Sequence, residues 1–327
     1  MFFLNGAVAN TWDFNEDPLR LSSSYQYRFE ALPLNAKISN IPWSDTYWPD
    51  HQGSINYRWN TPNPIGFDFS PPTHEQVLAM NRDEISSLSP AEKYDLLMGQ
   101  YDFPLFNEVR QSPQVTKNAP IWNGICDGWA MASVQFPEPK ATDQMNPDGM
   151  VIPFGSSDIK AILSYAMSYH FRAFSVKAGL PFSSNRCSGI NAGTFHIALT
   201  NQIGLLNESL IMDRSTTFEI WNQAIYEYHL SSIGSATPES GMSGVRVQGA
   251  VYFADELEKP SYSSVGGTPR QRTTKVNVDY ILDLDGAGQV IGGRYLNRSF
   301  RPDYLWFPRN TFTFDGYFIG LAKLTKN

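Results

Sequence analysis

Apolar and polar positions follow two different periods along the chain. Between Ser156 and Met167 apolar residues recur every three or four positions, which predicts an amphipathic helix. From Thr194 the period changes to two, which predicts a strand with Phe195 and Ile197 on one face and His196 on the other. Further strands are predicted at 245–253, 275–284, 289–296 and 310–324. This pattern indicates an α+β protein with an antiparallel sheet.

The first hundred residues have a different character. Up to about Thr73 the chain is rich in aromatic residues and lacks a helical period, so we expect extended chain packed over a larger body. Two capping-box patterns, Thr73-x-x-Gln76 and Ser89-Pro90-x-Glu92, then predict two short helices. We therefore predict an N-terminal extension over 1–100 and a compact catalytic domain over 101–327.

Composition narrows the possible partners. The 327 residues carry a net charge of −7 with no run of Lys or Arg, which argues against a nucleic-acid partner. No apolar stretch approaches the roughly 20 residues that a membrane helix needs. The opening Met1-Phe2-Phe3-Leu4 has neither the basic region nor the apolar length of a signal peptide, so none is expected in this sequence.

Cys126 is the first candidate for chemistry. It follows the turn Trp122-Asn123-Gly124 and opens a predicted helix, Cys126–Gln135, which Pro137 ends. A helix N-terminus stabilises a thiolate and lowers the thiol pKa, although many free cysteines are simply buried apolar residues. Cys187, the other cysteine, is too distant in sequence and lacks the short-spaced partner that a structural zinc site requires. No metal site is predicted, and Asp285–Gly288 is interpreted as a hairpin turn.

A nucleophilic cysteine needs a histidine to move its proton and a third group to orient that histidine. If the predicted strand with His196 forms a hairpin with 209–213, the register pairs His196 with Asp213, with Cβ atoms about 5 Å apart. The carboxylate would then fix the imidazole tautomer. The sequence therefore predicts the triad Cys126, His196 and Asp213.

Ordered motifs over about 260 residues carry a family resemblance. They include Tyr47-Trp48-Pro49, the segment Leu88–Leu97, Trp122-x-Gly124-x-Cys126-x-Gly128-Trp129-Ala130, Asn191-Ala192-Gly193-x-Phe195-His196, Trp221-Asn222-Gln223 and Pro302-Asp303-Tyr304-Leu305-Trp306. In this order they resemble the transglutaminase-elicitor family, first known from oomycete cell-wall glycoproteins and also present in bacteria. The resemblance implies a papain-like/transglutaminase-like cysteine-transferase core, secretion, and a catalytic Cys126 with His196 and Asp213 as its partners.

The activity that this resemblance implies is protein cross-linking by a transglutaminase. Cys126 would form a thioester with a protein glutamine and pass the acyl group to a lysine or a polyamine. No cofactor is required; calcium dependence is open, without an identifiable site. A cysteine peptidase or glutamine deamidase with the same triad, and a non-catalytic binding protein of this fold, remain alternatives.

Three details stay open in the sequence. The backbone N–H of Cys126 needs a second oxyanion donor, for which Trp122, Asn123 and, less favoured, Trp59 are candidates. Cys187 is either free or the partner of Cys126 in an oxidative off-switch. The stretch Trp221-Asn222-Gln223 lacks the Pro and basic residues that follow it in oomycete members, so elicitor activity is not expected.

Overall fold

The computed structural model describes residues 11–62, 65–171, 175–181, 189–214, 217–296, 300–309 and 312–326. Its α-helices are α1 (His74–Ala79), α2 (Arg82–Ser86), α3 (Pro90–Leu97), α4 (Pro104–Gln111), α5 (Cys126–Gln135), α6 (Ser156–Tyr165), α7 (Ala192–Leu199) and α8 (Leu321–Leu324). The last turns of α6 and α7 widen into π-helices, Ala166–His170 and Thr200–Leu205. Short 3-10 helices span Pro18–Arg20, Phe29–Ala31, Asp50–Gln52, Ser54–Asn56 and Gly316–Gly320.

The strands form one large sheet and one small hairpin. They are β1 (Asn35–Lys37), β2 (Thr142–Met145), β3 (Val151–Phe154), β4 (Ser175–Gly179), β5 (Leu210–Asp213), β6 (Asn222–Ala236), β7 (Ser243–Ala254), β8 (Thr273–Leu284), β9 (Val290–Tyr295) and β10 (Tyr304–Pro308). The large sheet has the order β4-β10-β5-β6-β7-β8-β9, with β1 paired to β6, whereas β2 pairs only with β3 among the described strands. The registers that include β5, β6 and β10 are antiparallel, as the α+β prediction expected.

The chain divides into two compact units that interleave in sequence. The first, here called the sheet unit, comprises 1–41, 175–253 and 273–309, and the second, the helix unit, comprises 42–174, 254–272 and 310–327. The predicted boundary at residue 100 thus lies inside the helix unit. The strands of the large sheet belong to the first unit, and helices α1–α6 belong to the second.

Several predicted elements are confirmed by the structure. Complete capping boxes begin α1 at Thr73 and α3 at Ser89, because each N-cap side chain and the residue three positions later bond each other's backbone N–H. The predicted helix at Cys126 is α5, and the predicted hairpin around Asp285 joins β8 and β9. The carboxylate of Asp285 closes that turn by accepting the N–H groups of Ala287 and Gln289, each at 2.9 Å.

The strand predicted from Thr194 is wrong, because this segment is helix α7. Asn191 caps the helix by accepting the N–H of Gly193 at 2.8 Å, and every residue of α7 is buried, packed mainly against β8 and β9. A helix buried on all sides has no polar face, so its apolar residues mimic the alternation of a strand. The strand predicted at 310–324 is also wrong, since Gly316–Leu324 is helical and the strand lies earlier, at β10.

Candidate active site

Cys126 is the first residue of α5 and is 6% exposed. The loop before it is held by the irregular segment 43–49 and by Asp50, the first residue of a 3-10 helix. The carbonyl of Tyr47 accepts the N–H of Ile125 at 2.9 Å, and Asp50 donates its N–H to the carbonyl of Asn123 at 2.9 Å. The aromatic N-terminal segment therefore forms part of the scaffold that positions the candidate nucleophile.

The two glycines of the Gly-x-Cys-x-Gly motif have steric functions. A Cβ at Gly124 would lie 2.5 Å from the carbonyl oxygen of Tyr47, and a Cβ at Gly128 would lie 1.9 Å from the carbonyl oxygen of Ser164. Real Cβ atoms do not approach that closely, so only glycine permits the loop to contact Tyr47 and α5 to contact α6. Both contacts fix the position of Cys126.

The start of α5 combines a favourable helix dipole with nearby negative charge. The dipole and the N–H groups of the first turn favour a thiolate at Cys126. Asp127 follows directly and accepts the hydroxyl of Ser168 at 2.8 Å. Burial, and then the charge of Asp127, raise the pKa of Asp50 to about 6. The negative charge near Cys126 therefore changes with pH as Asp50 gains or loses its proton.

His196 does not contact Asp213 through the predicted hairpin. It lies on α7, fully buried, with Nδ1 2.8 Å from the hydroxyl of Tyr280 and its ring stacked on Phe29 at 5.7 Å. Burial lowers the pKa of His196 to about 3. Its Nε2 has no hydrogen-bond partner within the described ranges. These surroundings are those of a neutral histidine in the core of the sheet unit.

Asp213 ends β5 and belongs to a different polar group. Its Oδ1 accepts the backbone N–H of Trp221 at 3.0 Å, and it pairs across the sheet with Asn222 of β6. The Asn222 side-chain oxygen accepts the indole N–H of Trp306 at 2.8 Å and the hydroxyl of Tyr304 at 3.3 Å. We call Asp213, Trp221, Asn222, Tyr304 and Trp306 the Asp213 cluster.

The sequence-based reasoning missed the polar role of Asn222, Tyr304 and Trp306. The motifs that contain them, Trp221-Asn222-Gln223 and Pro302–Trp306, were recognised only as parts of a family pattern. The signal that could have found them is spacing: Asp213 and Asn222 are separated by a connection short enough for a β-hairpin, which places them opposite each other.

The oxyanion candidates differ in their surroundings. The indole N–H of Trp59 donates to Asp158 at 2.8 Å, which already pairs with Lys93, so Trp59 is committed to a buried ion pair. Trp122 and Asn123 are half-buried and lie four and three residues before Cys126 in the sequence. The side-chain oxygen of Asn123 is buried without a hydrogen bond among the described residues. These two remain the candidate donors.

The remaining sequence predictions concern Cys187, a metal site and a membrane-spanning helix. Cys187 lies outside the described residues, so the predicted alternatives of a free Cys187 and a Cys126–Cys187 bond stay predictions. Within the described ranges no group of three or more His, Cys, Asp or Glu side chains is arranged to hold a metal ion. No described helix combines the length and apolarity required to cross a membrane.

Comparison with known families decides the classification. The family model described as "Transglutaminase elicitor" matches residues 107–317, which include Cys126, His196 and Asp213. The chain belongs to the transglutaminase elicitor family. Its fold is similar to that in the crystal structure of the GP42 transglutaminase from Phytophthora sojae, with a TM-score of 0.69 and 20% sequence identity over 97% of this chain and 98% of that chain. No curated protein matches the chain.

Proposed function

We propose that this member of the transglutaminase elicitor family is a protein-glutamine γ-glutamyltransferase with Cys126 as its nucleophile. One observation carries the proposal: the only described cysteine of the matched family region opens α5, at the end of a tightly constrained loop. Protein substrates with exposed Gln and Lys side chains, or polyamines, are the proposed partners. Secretion remains a proposal from the family resemblance.

The proposed reaction has two halves. Cys126 loses its thiol proton, and the thiolate attacks the carboxamide carbon of a glutamine. The C–N bond then breaks, the departing nitrogen takes up one proton and leaves as ammonia, and a thioester remains. A neutral primary amine then attacks the thioester carbon, the C–S bond breaks, one amine proton passes to the departing Cys126 thiolate, and an isopeptide or substituted amide forms. The N–H of Cys126, with Trp122 or Asn123, is the proposed oxyanion site, because the N–H groups of the first helical turn have no partner within the helix.

The proposed reaction also needs a proton acceptor. His196 as base and Asp213 as its orienting group stay predictions. The hydrogen bond between His196 and Tyr280 and the burial of His196 favour a structural role instead. The proposed function therefore depends on Cys126 and not on His196.

The test is incorporation of a fluorescent cadaverine into a glutamine-rich protein, with release of ammonia. We expect incorporation by the wild-type protein and a loss of at least about a thousandfold for Cys126→Ala. Far-UV circular dichroism should show that the variant remains folded. Parallel reactions with calcium and with a chelator would measure any calcium dependence.

Other outcomes would point to the alternatives. Ammonia release without incorporation would identify a deamidase, and cleaved peptide bonds would identify a peptidase. Full activity in Cys126→Ala would disprove the assignment of the nucleophile. Binding of glutamine-containing protein without any turnover would support the non-catalytic alternative.

A further inference from the structure

The loop that ends at Cys126 carries the most exposed apolar side chain described in the helix unit. Ile121 is 76% exposed, more than any other large apolar residue that the structure describes in this unit. Its neighbours in the chain are also apolar, since Pro120 is exposed and Trp122 is half-buried. A single exposed apolar residue needs no explanation, whereas a contiguous group beside a candidate nucleophile indicates a surface that binds another molecule.

Hydrogen bonds hold this part of the loop in one conformation. The N–H of Asn123 donates to the carbonyl of Pro120 at 3.0 Å, which closes a β-turn with Ile121 at its second position. The hydroxyl of Tyr47 donates to the carbonyl of Ile121 at 2.6 Å. The turn is therefore preorganised, and a partner that binds the side chain of Ile121 loses little affinity to ordering of the loop.

The position of Ile121 suits contact with a protein substrate. Ile121 lies five residues before Cys126, so their Cα atoms are at most about 18 Å apart. A glutamine that reaches the thiol belongs to a chain that continues on both sides of it, and five extended residues of that chain also span about 18 Å at most. Residues up to about five positions from the reactive glutamine can therefore lie against Ile121.

We propose that Ile121 is a specificity-determining residue that binds an apolar side chain near the reactive glutamine of the protein substrate. The inference rests on the proposed transferase function and adds the class of glutamine that it selects. Contact between two apolar side chains removes the surface of both from water, which favours binding, whereas a polar side chain at the same position gains nothing from Ile121. The contact therefore acts on the glutamine substrate and not on the amine acceptor.

A series of glutamine peptides tests the proposal. Each peptide contains one glutamine among Gly and Ser residues, with a single leucine at one of the five positions on either side. Cadaverine is the acceptor throughout, and ammonia release gives the rate. For the wild-type protein we expect leucine at one or two of these positions to raise kcat/KM about three- to tenfold over serine. Ile121→Ser should abolish this preference, and Ile121→Leu should retain it.

Two controls separate specificity from general damage to the loop. N-acetylglutamine methylamide has no residues beside its glutamine, so its kcat/KM with Ile121→Ser should stay within a factor of about two of the wild-type value. Leu78→Ser removes a side chain of α1 that is 62% exposed and lies outside the Cys126 loop, and it should keep the leucine preference.

The remaining outcomes would contradict the inference. A leucine preference that survives in Ile121→Ser, or a wild-type protein with the same kcat/KM for every peptide of the series, would overturn it. An equal loss for all substrates in Ile121→Ser, including N-acetylglutamine methylamide, would overturn it as well, because Ile121 would then only maintain the loop. If the wild-type protein processes none of the glutamine substrates, the proposed transferase function itself fails.

Discussion

At the scale of single residues, the imidazole of His196 offers the sharpest test of the predicted triad. Its Nδ1 bonds Tyr280 and its ring is fully buried, so we expect His196 to contribute to stability and not to catalysis. His196→Asn replaces the imidazole ring with a smaller amide, which lies near the hydroxyl of Tyr280. It should lower the free energy of unfolding by about 2–4 kcal/mol while kcat at a permissive temperature changes less than about threefold.

Tyr280→Phe is the matched control for this prediction. It removes the same hydrogen bond from the other side and should cost about 1 kcal/mol in urea unfolding, again with little effect on kcat. A folded His196→Asn protein with kcat reduced by about a thousandfold would instead support the predicted base.

The same residues show what the sequence can and cannot predict about a site. Cys126 could be recognised because its signal is local: a glycine turn, a cysteine and a helix in immediate succession. The pairing of His196 with Asp213 could not, because it depended on a strand register, and a register exists only if both segments are strands. Asp213 instead accepts the N–H of the nearby Trp221 and faces Asn222 across a β-hairpin, whereas Trp306, which bonds Asn222, is far away in sequence.

At the scale of elements, the contact between α5 and α6 fixes the nucleophile. Gly128→Ala would bring a methyl group 1.9 Å from the carbonyl oxygen of Ser164, so the two helices must move apart. We expect a loss of about 2–4 kcal/mol in the free energy of unfolding and a fall in kcat, because Cys126 lies only two residues away. Chemical unfolding and the rate of Cys126 alkylation would measure the two effects.

Gly286→Ala serves as the comparison. Its Cβ would meet only the sulfur of Met242, at 3.0 Å, which is a flexible side chain. Stability should change by less than about 1 kcal/mol, and alkylation of Cys126 should keep its rate. If Gly128→Ala were as mild as this variant, the close contact would not constrain the site.

Elements were predictable where polar signals mark their ends. Thr73 and Ser89 begin α1 and α3 because their side chains satisfy backbone N–H groups, and this pattern can be recognised in a single sequence. Helix α7 has an N-cap at Asn191 but an apolar interior on all sides, so the period that distinguishes helices from strands is missing. Tertiary burial decided its conformation.

At the scale of the whole molecule, the division into units follows contacts and not the order of the chain. The segment 254–272 belongs to the helix unit although its neighbours β7 and β8 belong to the sheet unit. The sequence predicted an N-terminal extension over 1–100, made of an aromatic segment up to about Thr73 and two short helices. Contacts such as that of Tyr47 with Ile125 hold the part of the aromatic segment from residue 42 onward in the helix unit, which carries Cys126, whereas the part up to residue 41 belongs to the sheet unit.

The acid sensitivity of the molecule should depend on His196. Burial lowers its pKa to about 3 from 6.5, so the folded state resists protonation while the unfolded chain accepts a proton below pH 6.5. The contribution of the buried, neutral His196 to the free energy of unfolding is therefore complete above pH 6.5. It is lost as the pH falls towards 3, by up to about 1.4 kcal/mol per pH unit. Other titrating groups cancel when variants are compared at each pH.

We expect the difference in unfolding free energy between the wild-type protein and His196→Asn to shrink as the pH is lowered from 7 to 4. The difference between the wild-type protein and Tyr280→Phe should stay nearly constant, because both proteins retain His196. Urea unfolding at each pH measures both differences. A constant difference for His196→Asn would mean that the histidine takes up a proton in the folded state over the same pH range as in the unfolded chain, and the structural role argued for it would then be wrong.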